Sequence, residues 1–213
     1  MEFDAEKIVK EMKNKNKIFV SEKHLQTEFI LTAKSIEEYK NYEYIPEYPH
    51  KEFDEKTEKY VNKHIDLLVS DGKECVALEF KYVLHGGEIP IFGNRKTKLR
   101  NHSAVNIRRY QCVKDIARLE NYKKTENLNC TSGYLLLITN MKYMWSGVKD
   151  GDASKQFELK DGSTLSSGPH RFTKGKDADR FCKIKTSGEY DIKYYPYYEK
   201  GESKQFKYLI VKV

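Results

Sequence analysis

With 213 residues the chain has the length for one compact domain, and nothing in its composition asks for two. A mean hydropathy of −0.78 and a longest apolar run of only Tyr134-Leu135-Leu136-Leu137-Ile138 exclude a membrane-spanning helix, and a start without a charged-then-apolar leader points to a cytoplasmic protein. The net charge of +7 points to a polyanionic partner, because residues 81–118 carry nine Lys and Arg against two acids and so hold the whole excess.

Asp4 to Met12 reads as a short amphipathic helix with Ile8, Val9 and Met12 on its apolar side. Ser21 caps a second helix whose stripe is Leu25, Phe29, Ala33 and Ile36, and Glu22 stands in its first turn, where the helix dipole favours an anion. Glu22 and Gln26 fall on one flank of the stripe and Glu28 on the other. Tyr42 to Ile45 reads as a strand closed by Pro46, and Pro49 to Lys59 as a charged connection. His64 to Val69 and Cys75 to Tyr82 then form a hairpin about Asp71-Gly72, a strong signal for a two-residue loop. Such a loop pairs Ser70 with Lys73 and sets Asp66 opposite Ala77. Asp66, Glu79 and Lys81 then share one face, with the Asp66 and Glu79 backbones about 7–8 Å apart on the diagonal. A slip of one residue would send Asp66 to the other face.

Leu84 to His102, with Gly86, Gly87, Pro90 and Gly93, reads as a long loop of the kind that usually carries function. Ser103 to Lys123 is a helix with Ile107, Tyr110, Val113 and Ala117 on one stripe, and Asp115 with Arg118 or Arg108 is most simply an ion pair along it. Gly133 to Thr139 is a strand buried on both faces, as in a parallel position. Short strands follow at Phe157 to Leu159, Phe181 to Lys185, Tyr190 to Tyr198 and Phe206 to Val213, the last a member of the sheet. The tyrosines at 190, 194, 195, 197 and 198 either stack bases or pack as ordinary strand residues. Cys75, Cys112, Cys130 and Cys182 lack any C-x-x-C spacing and read as reduced thiols.

Glu-x-Lys on a strand is ordinarily a solvent-facing pair. Here Leu78, Phe80 and Tyr82 form one apolar face of the strand while Asp66 joins Glu79 and Lys81 on the other, which favours a site. The element order of helix, three strands, helix and strand, with Asp66 on the second strand and Glu79-Phe80-Lys81 on the third, resembles the PD-(D/E)XK nuclease superfamily. Ser21-Glu22-x-x-Leu25-Gln26 on the first helix supports the resemblance, which covers roughly residues 18–140. Ile65 stands where the motif's name has proline. A wider string, Arg109-Tyr110, Asp115-Ile116-x-Arg118-Leu119-Glu120, Gly133-Tyr134 to Thr139-Asn140 and Phe206-Lys207-Tyr208-Leu209, is similar to a functionally uncharacterised bacterial group within that superfamily.

The resemblance implies an α/β protein with a restriction-endonuclease-like core, α-β-β-β-α-β, its mixed sheet flanked by helices, and additional C-terminal β-strands. One nuclease-like domain would span residues 1–213, with a core at about 18–140 and a β-rich extension at about 141–213. The implied reaction is hydrolysis of a nucleic-acid phosphodiester, DNA in the first instance, with Mg²⁺ as cofactor and Mn²⁺ as substitute. Carboxylates suit Mg²⁺, which takes hard oxygen ligands and keeps several waters. Asp66, Glu79 and the backbone carbonyl of Phe80 would hold the ion. Lys81 would orient or deprotonate the attacking water, or stabilise charge developing at phosphorus, and Glu22 would hold a water or a second ion. Arg95, Lys96, Lys98, Arg100 and Arg108 are the expected phosphate contacts, and Gln26, Glu28 and Glu43 the candidate accessory groups. A homodimer is left open, as is a non-catalytic nucleic-acid-binding or interaction protein on the same scaffold.

Overall fold

Two capped helices open the chain. Asp4 accepts hydrogen bonds from the amides of Glu6 and Lys7 to start α1 (Ala5–Asn14), and Ser21 accepts one from the His24 amide to start α2 (Glu22–Ser35). The structure, a computed structural model, describes residues 1–15, 17–54, 58–92, 95–125, 128–199 and 205–213. Among these, no helix is long and apolar enough to cross a membrane.

The strands that follow are β1 (Glu43–Asp54), β2 (Lys59–Ser70), β3 (Cys75–Val83), β4 (Glu88–Phe92) and β5 (Arg95–Lys98). Helix α3 (Val105–Lys123) leads to β6 (Cys130–Thr139), and short elements fill the remainder: α4 (Lys142–Trp145), β7 (Ser163–Leu165), β8 (Gly168–His170), α5 (Lys176–Arg180), β9 (Ile184–Thr186) and β10 (Tyr190–Ile192). The chain ends with β11 (Tyr194–Glu199) and β12 (Gln205–Lys212). A six-stranded sheet runs in the order β1-β2-β3-β6-β12-β11, with β3 and β6 parallel and the other neighbours antiparallel. The protein is thus α/β, with a mixed sheet flanked by helices.

The two apolar layers follow from side-chain alternation. On β3, Val76, Leu78, Phe80 and Tyr82 pack toward α1 and α2, while Ala77 and Val83 pack toward α3. β6 does the same with Leu136 and Ile138 against Leu135 and Leu137. The expectation of a strand buried on both faces in a parallel position therefore holds. Helix α3 lies close on β6, since a Cβ at Gly133 would stand 2.9 Å from the Cβ of Leu119.

Several sequence expectations are corrected. The predicted strand at Tyr42 to Ile45 continues through Pro46 and Pro49 to Asp54, and the charged segment expected to be a connection pairs with Lys59 to His64. Pro46 and Pro49 lie on an edge strand, where the outer side of the ladder is open and proline is commonly found. The expected loop from Leu84 to His102 contains the β4–β5 hairpin, with Glu88 opposite Lys98 and Ile89 opposite Thr97; Gly93 lies outside the described residues. Phe157 ends a 3₁₀ turn instead of starting a strand. The cysteines are free. Tyr194, Tyr197 and Tyr198 are buried in the packed layers, which settles them as packing residues.

The turn between β2 and β3 also differs from expectation. It has four residues, not two, and pairs Ser70 with Cys75. Asp71 accepts from the amides of Lys73 and Glu74 at 2.9 and 2.8 Å, and only Gly72 of the expected pair has positive φ. A two-residue type I′ loop needs positive φ at both positions, whereas the Asp71 carboxylate captures two amides by holding an ordinary conformation. The register moves by two residues, an even number, so each side chain keeps its face.

Candidate active site

The β2–β3 ladder stops at Leu67 opposite Leu78, and beyond it side chains take over from backbone. The Phe80 amide donates to Asp66 Oδ2 at 2.7 Å, and the Tyr82 amide donates to Glu22 Oε2 at 2.9 Å. Two carboxylates are thereby pinned where a strand would ordinarily lie. Gln26 donates from its side-chain amide to the Asp66 carbonyl, so α2 holds both the backbone of Asp66 and, through Glu22, the strand beside it. The accessory expectation for Gln26 becomes a positioning contact.

Asp66 and Glu79 are close enough for each carboxyl group to act on the other's ionisation. Glu79 is only 1% exposed; its Oε1 lies 3.3 Å from Arg118 and accepts from the Tyr122 hydroxyl at 3.5 Å, while its Oε2 has no hydrogen-bond partner. Burial, together with the Asp115 and Asp66 carboxylates, pushes the Glu79 carboxyl well above the usual range, with Arg118 and Lys81 pulling the other way. Burial likewise raises Asp66, opposed by Lys81 and the Phe80 amide.

Lys81 reaches Asp115 Oδ2 at 2.7 Å and donates to the Phe80 carbonyl at 2.9 Å. Burial disfavours its charge, but Asp115, Glu22 and Asp66 outweigh that and hold the ammonium above the ordinary lysine range. Asp115 in turn contacts Arg118 at 3.4 Å, so the helical ion pair expected from spacing is present but belongs to a larger cluster. Sequence spacing reads Asp115 with Arg118 or Arg108 most simply as an ion pair, with Arg108, Gln111, Asp115 and Arg118 alternatively facing substrate, since it carries no information about the strand across from them.

An open cleft of about 330 Å³ adjoins this cluster, lined by Glu22, Glu52, Lys63, Lys81, Arg108, Gln111, Lys114, Asp115 and Arg118. Of the expected phosphate contacts whose side chains are described, only Arg108 belongs to it, and its guanidinium donates to Gln111 at 2.9 Å. Lys96, Lys98 and Arg100 are exposed on or just after β5 and do not line it; the side chain of Arg95 lies outside the described residues. Glu28 pairs with Lys17 at 3.0 Å, and Glu43 is exposed opposite Ser70 at the far end of β2, so neither reaches the cluster. The reason for Glu43 is register, because four residues of extended strand separate Ser70 from Asp66.

The donor set suits a hard divalent cation. Among the described residues no three His, Cys, Asp or Glu side chains are grouped as a metal site; the donors expected from the sequence are the Asp66 and Glu79 carboxylates and the Phe80 carbonyl, which accepts from Lys81 at 2.9 Å. Two carboxylates with water and substrate oxygens completing the shell is how Mg²⁺ is usually held. A cation there would give the buried, unpartnered Oε2 of Glu79 a partner and offset the mutual influence of two neighbouring carboxyl groups.

No family model, no curated protein and no solved structure matches this chain.

Proposed function

We propose that this chain is a divalent-metal-dependent nuclease of restriction-endonuclease-like fold, hydrolysing phosphodiester bonds of DNA. The reading is carried by one observation: Asp66 and Glu79 as neighbouring carboxyl groups, Glu79 with a buried free oxygen, and the Lys81 ammonium, which acts on both, at a cleft that also presents Lys63, Arg108, Lys114 and Arg118. Asp66, Glu79 and the Phe80 carbonyl would hold Mg²⁺, which supplies Lewis-acid polarisation of the phosphate and lowers the pKa of a water. Lys81, charged and braced by Asp115, stabilises negative charge building on the phosphate oxygens and does not serve as the base. Glu22, which lines the cleft, would accept the proton of the attacking water.

A second reading has an observation of its own. Arg118 and Lys81 already compensate the buried carboxylates, as a non-catalytic nucleic-acid-binding protein on the same scaffold would retain them. Incubation with single- and double-stranded DNA and RNA separates the two. The nuclease reading expects DNA cleavage with Mg²⁺ or Mn²⁺ and none in excess chelator, and binding without cleavage of any substrate favours the second.

The cleft also revises where phosphate contacts are expected. Replacing Lys63, Arg108 and Lys114 together with Ala should flatten the log-log salt dependence of DNA affinity by about 2 to 3, near −0.9 for each phosphate no longer neutralised. Binding to all sequences should weaken alike, because such contacts position without reading bases. The same replacement of Lys96, Lys98 and Arg100 should have the smaller effect, and a reversed order would move the nucleic-acid surface to the β4–β5 hairpin.

A further inference from the structure

Arg118 is tied into the site beyond what helix pairing requires. Its guanidinium lies 3.3 Å from Glu79 Oε1, 3.4 Å from Asp115 Oδ1 and 3.6 Å from Glu52 Oε2, donates to the His64 carbonyl at 2.7 Å, and sits over the Tyr122 ring. The contact with Asp115 is the ordinary i,i+3 pair of a helix. The contact with Glu79 joins α3 to β3, and it engages one carboxylate oxygen while leaving the other buried and unpaired. A guanidinium can fork across both oxygens of a carboxylate, so a one-sided hold is not the arrangement that would fix Glu79 most firmly. Arg118 is also 15% exposed and lines the cleft, so its charged end has a route to a ligand there.

We infer that Arg118 is a displaceable counter-ion, which neutralises Glu79 in the metal-free protein and turns to a substrate phosphate when a divalent cation takes that carboxylate. The inference rests on the metal-site reading above. A dication on Oε2 draws charge from the carboxylate and repels the guanidinium on Oε1, so metal binding loosens Arg118's hold on Glu79. A phosphate offers the freed guanidinium two oxygens at the right spacing. Nucleic acid that draws Arg118 away would then tighten metal binding, and linkage requires metal to tighten nucleic-acid binding by the same factor.

The test uses the full chain, Mn²⁺ titrations followed by electron paramagnetic resonance, and a phosphorothioate DNA duplex as the uncleaved ligand. Arg118→Met should bind Mn²⁺ about tenfold tighter without DNA, and DNA about tenfold weaker with Mn²⁺ present, as expected for loss of one ion pair at Glu79 in the first state and one charge-assisted hydrogen bond to phosphate in the second. Arg118→Lys, which keeps the charge but loses the fork, should shift both in the same directions by less, and it carries the test if the Met variant does not fold. Weaker Mn²⁺ binding in Arg118→Met would mean that Arg118 merely holds Glu79 in place and overturns the inference. So would unchanged affinities in a protein whose wild type binds Mn²⁺. A wild type that binds no Mn²⁺, with or without DNA, overturns the metal-site reading and this inference with it.

Discussion

Asp66→Asn and Glu79→Gln should each lower metal-dependent cleavage by about 10³-fold or more, the loss expected when several kcal/mol of metal-borne charge stabilisation disappear from the transition state. The same substitutions should make the metal-free protein more stable. An amide at 79 still accepts from Tyr122, keeps an oxygen beside Arg118, and removes one of two neighbouring buried acids. A gain of about 0.5–2 kcal/mol is typical when a functional site gives up a strained group. The pH dependence carries the sign. Glu79 and Asp66 have folded-state pKa values above their unfolded ones, so their contribution to stability is fully present below the ordinary carboxylate range and is lost as pH rises through the raised values. Wild type without metal should therefore melt lower at about pH 8 than at about pH 5, and Glu79→Gln should flatten that slope. Added Mg²⁺ should raise the wild-type melting temperature more at the higher pH, where it no longer competes with protons for the same oxygens. A Glu79→Gln variant that melts lower than wild type, with the slope unchanged, would show that the carboxylate is a stabilising structural group.

What the sequence makes legible here is whatever depends on local pattern. The cap at Ser21, the stripes of α2 and α3, and the apolar runs of β3 and β6 can all be read because each residue's role is decided by neighbours within a turn or two. The convergence of Asp66, Glu79 and Lys81 is legible too, since strand parity survives an error of two residues in the turn. Edge effects are not legible: Pro46 and Pro49 look like breakers until β1 is known to lie at the margin of the sheet, and Lys59 to His64 look like loop until they pair with it. Nor are partners across layers. Nothing beside Asp115 along the helix announces Lys81, and Glu120, whose carboxylate takes the Ser187 and Gly188 amides and the Tyr190 hydroxyl, fastens α3 to a turn nearly seventy positions away. The basic segment shows the same limit. Charge counting finds the stretch that contains Lys81, Arg108, Lys114 and Arg118, but only folding divides those that reach the cleft from Lys96, Lys98 and Arg100, which do not.

Lys81→Met should abolish cleavage and also destabilise the protein by about 3–5 kcal/mol, because it leaves Asp115 buried without its 2.7 Å partner. Loss of activity in this variant alone therefore says little about catalysis. The discriminating comparison is a double-mutant cycle with Asp115→Asn. Asp115→Asn by itself strands the Lys81 ammonium against the Phe80 carbonyl and should cost a similar amount, although Glu22 and Asp66 remain nearby to share the charge. The two changes together remove both halves of the pair, so the double variant should recover most of the stability lost by either single one, since replacing a whole buried pair is often close to neutral. Activity should not return with it. A structural role for the pair is satisfied once neither charge is left alone, whereas a role for the ammonium in stabilising charge on the phosphate is not, so a double variant that is stable and inactive assigns Lys81 to the chemistry. Urea unfolding of the four proteins, paired with single-turnover cleavage at saturating Mg²⁺, measures both arms. Cleavage restored to within about tenfold of wild type in the double variant would reduce Lys81 to a structural partner of Asp115.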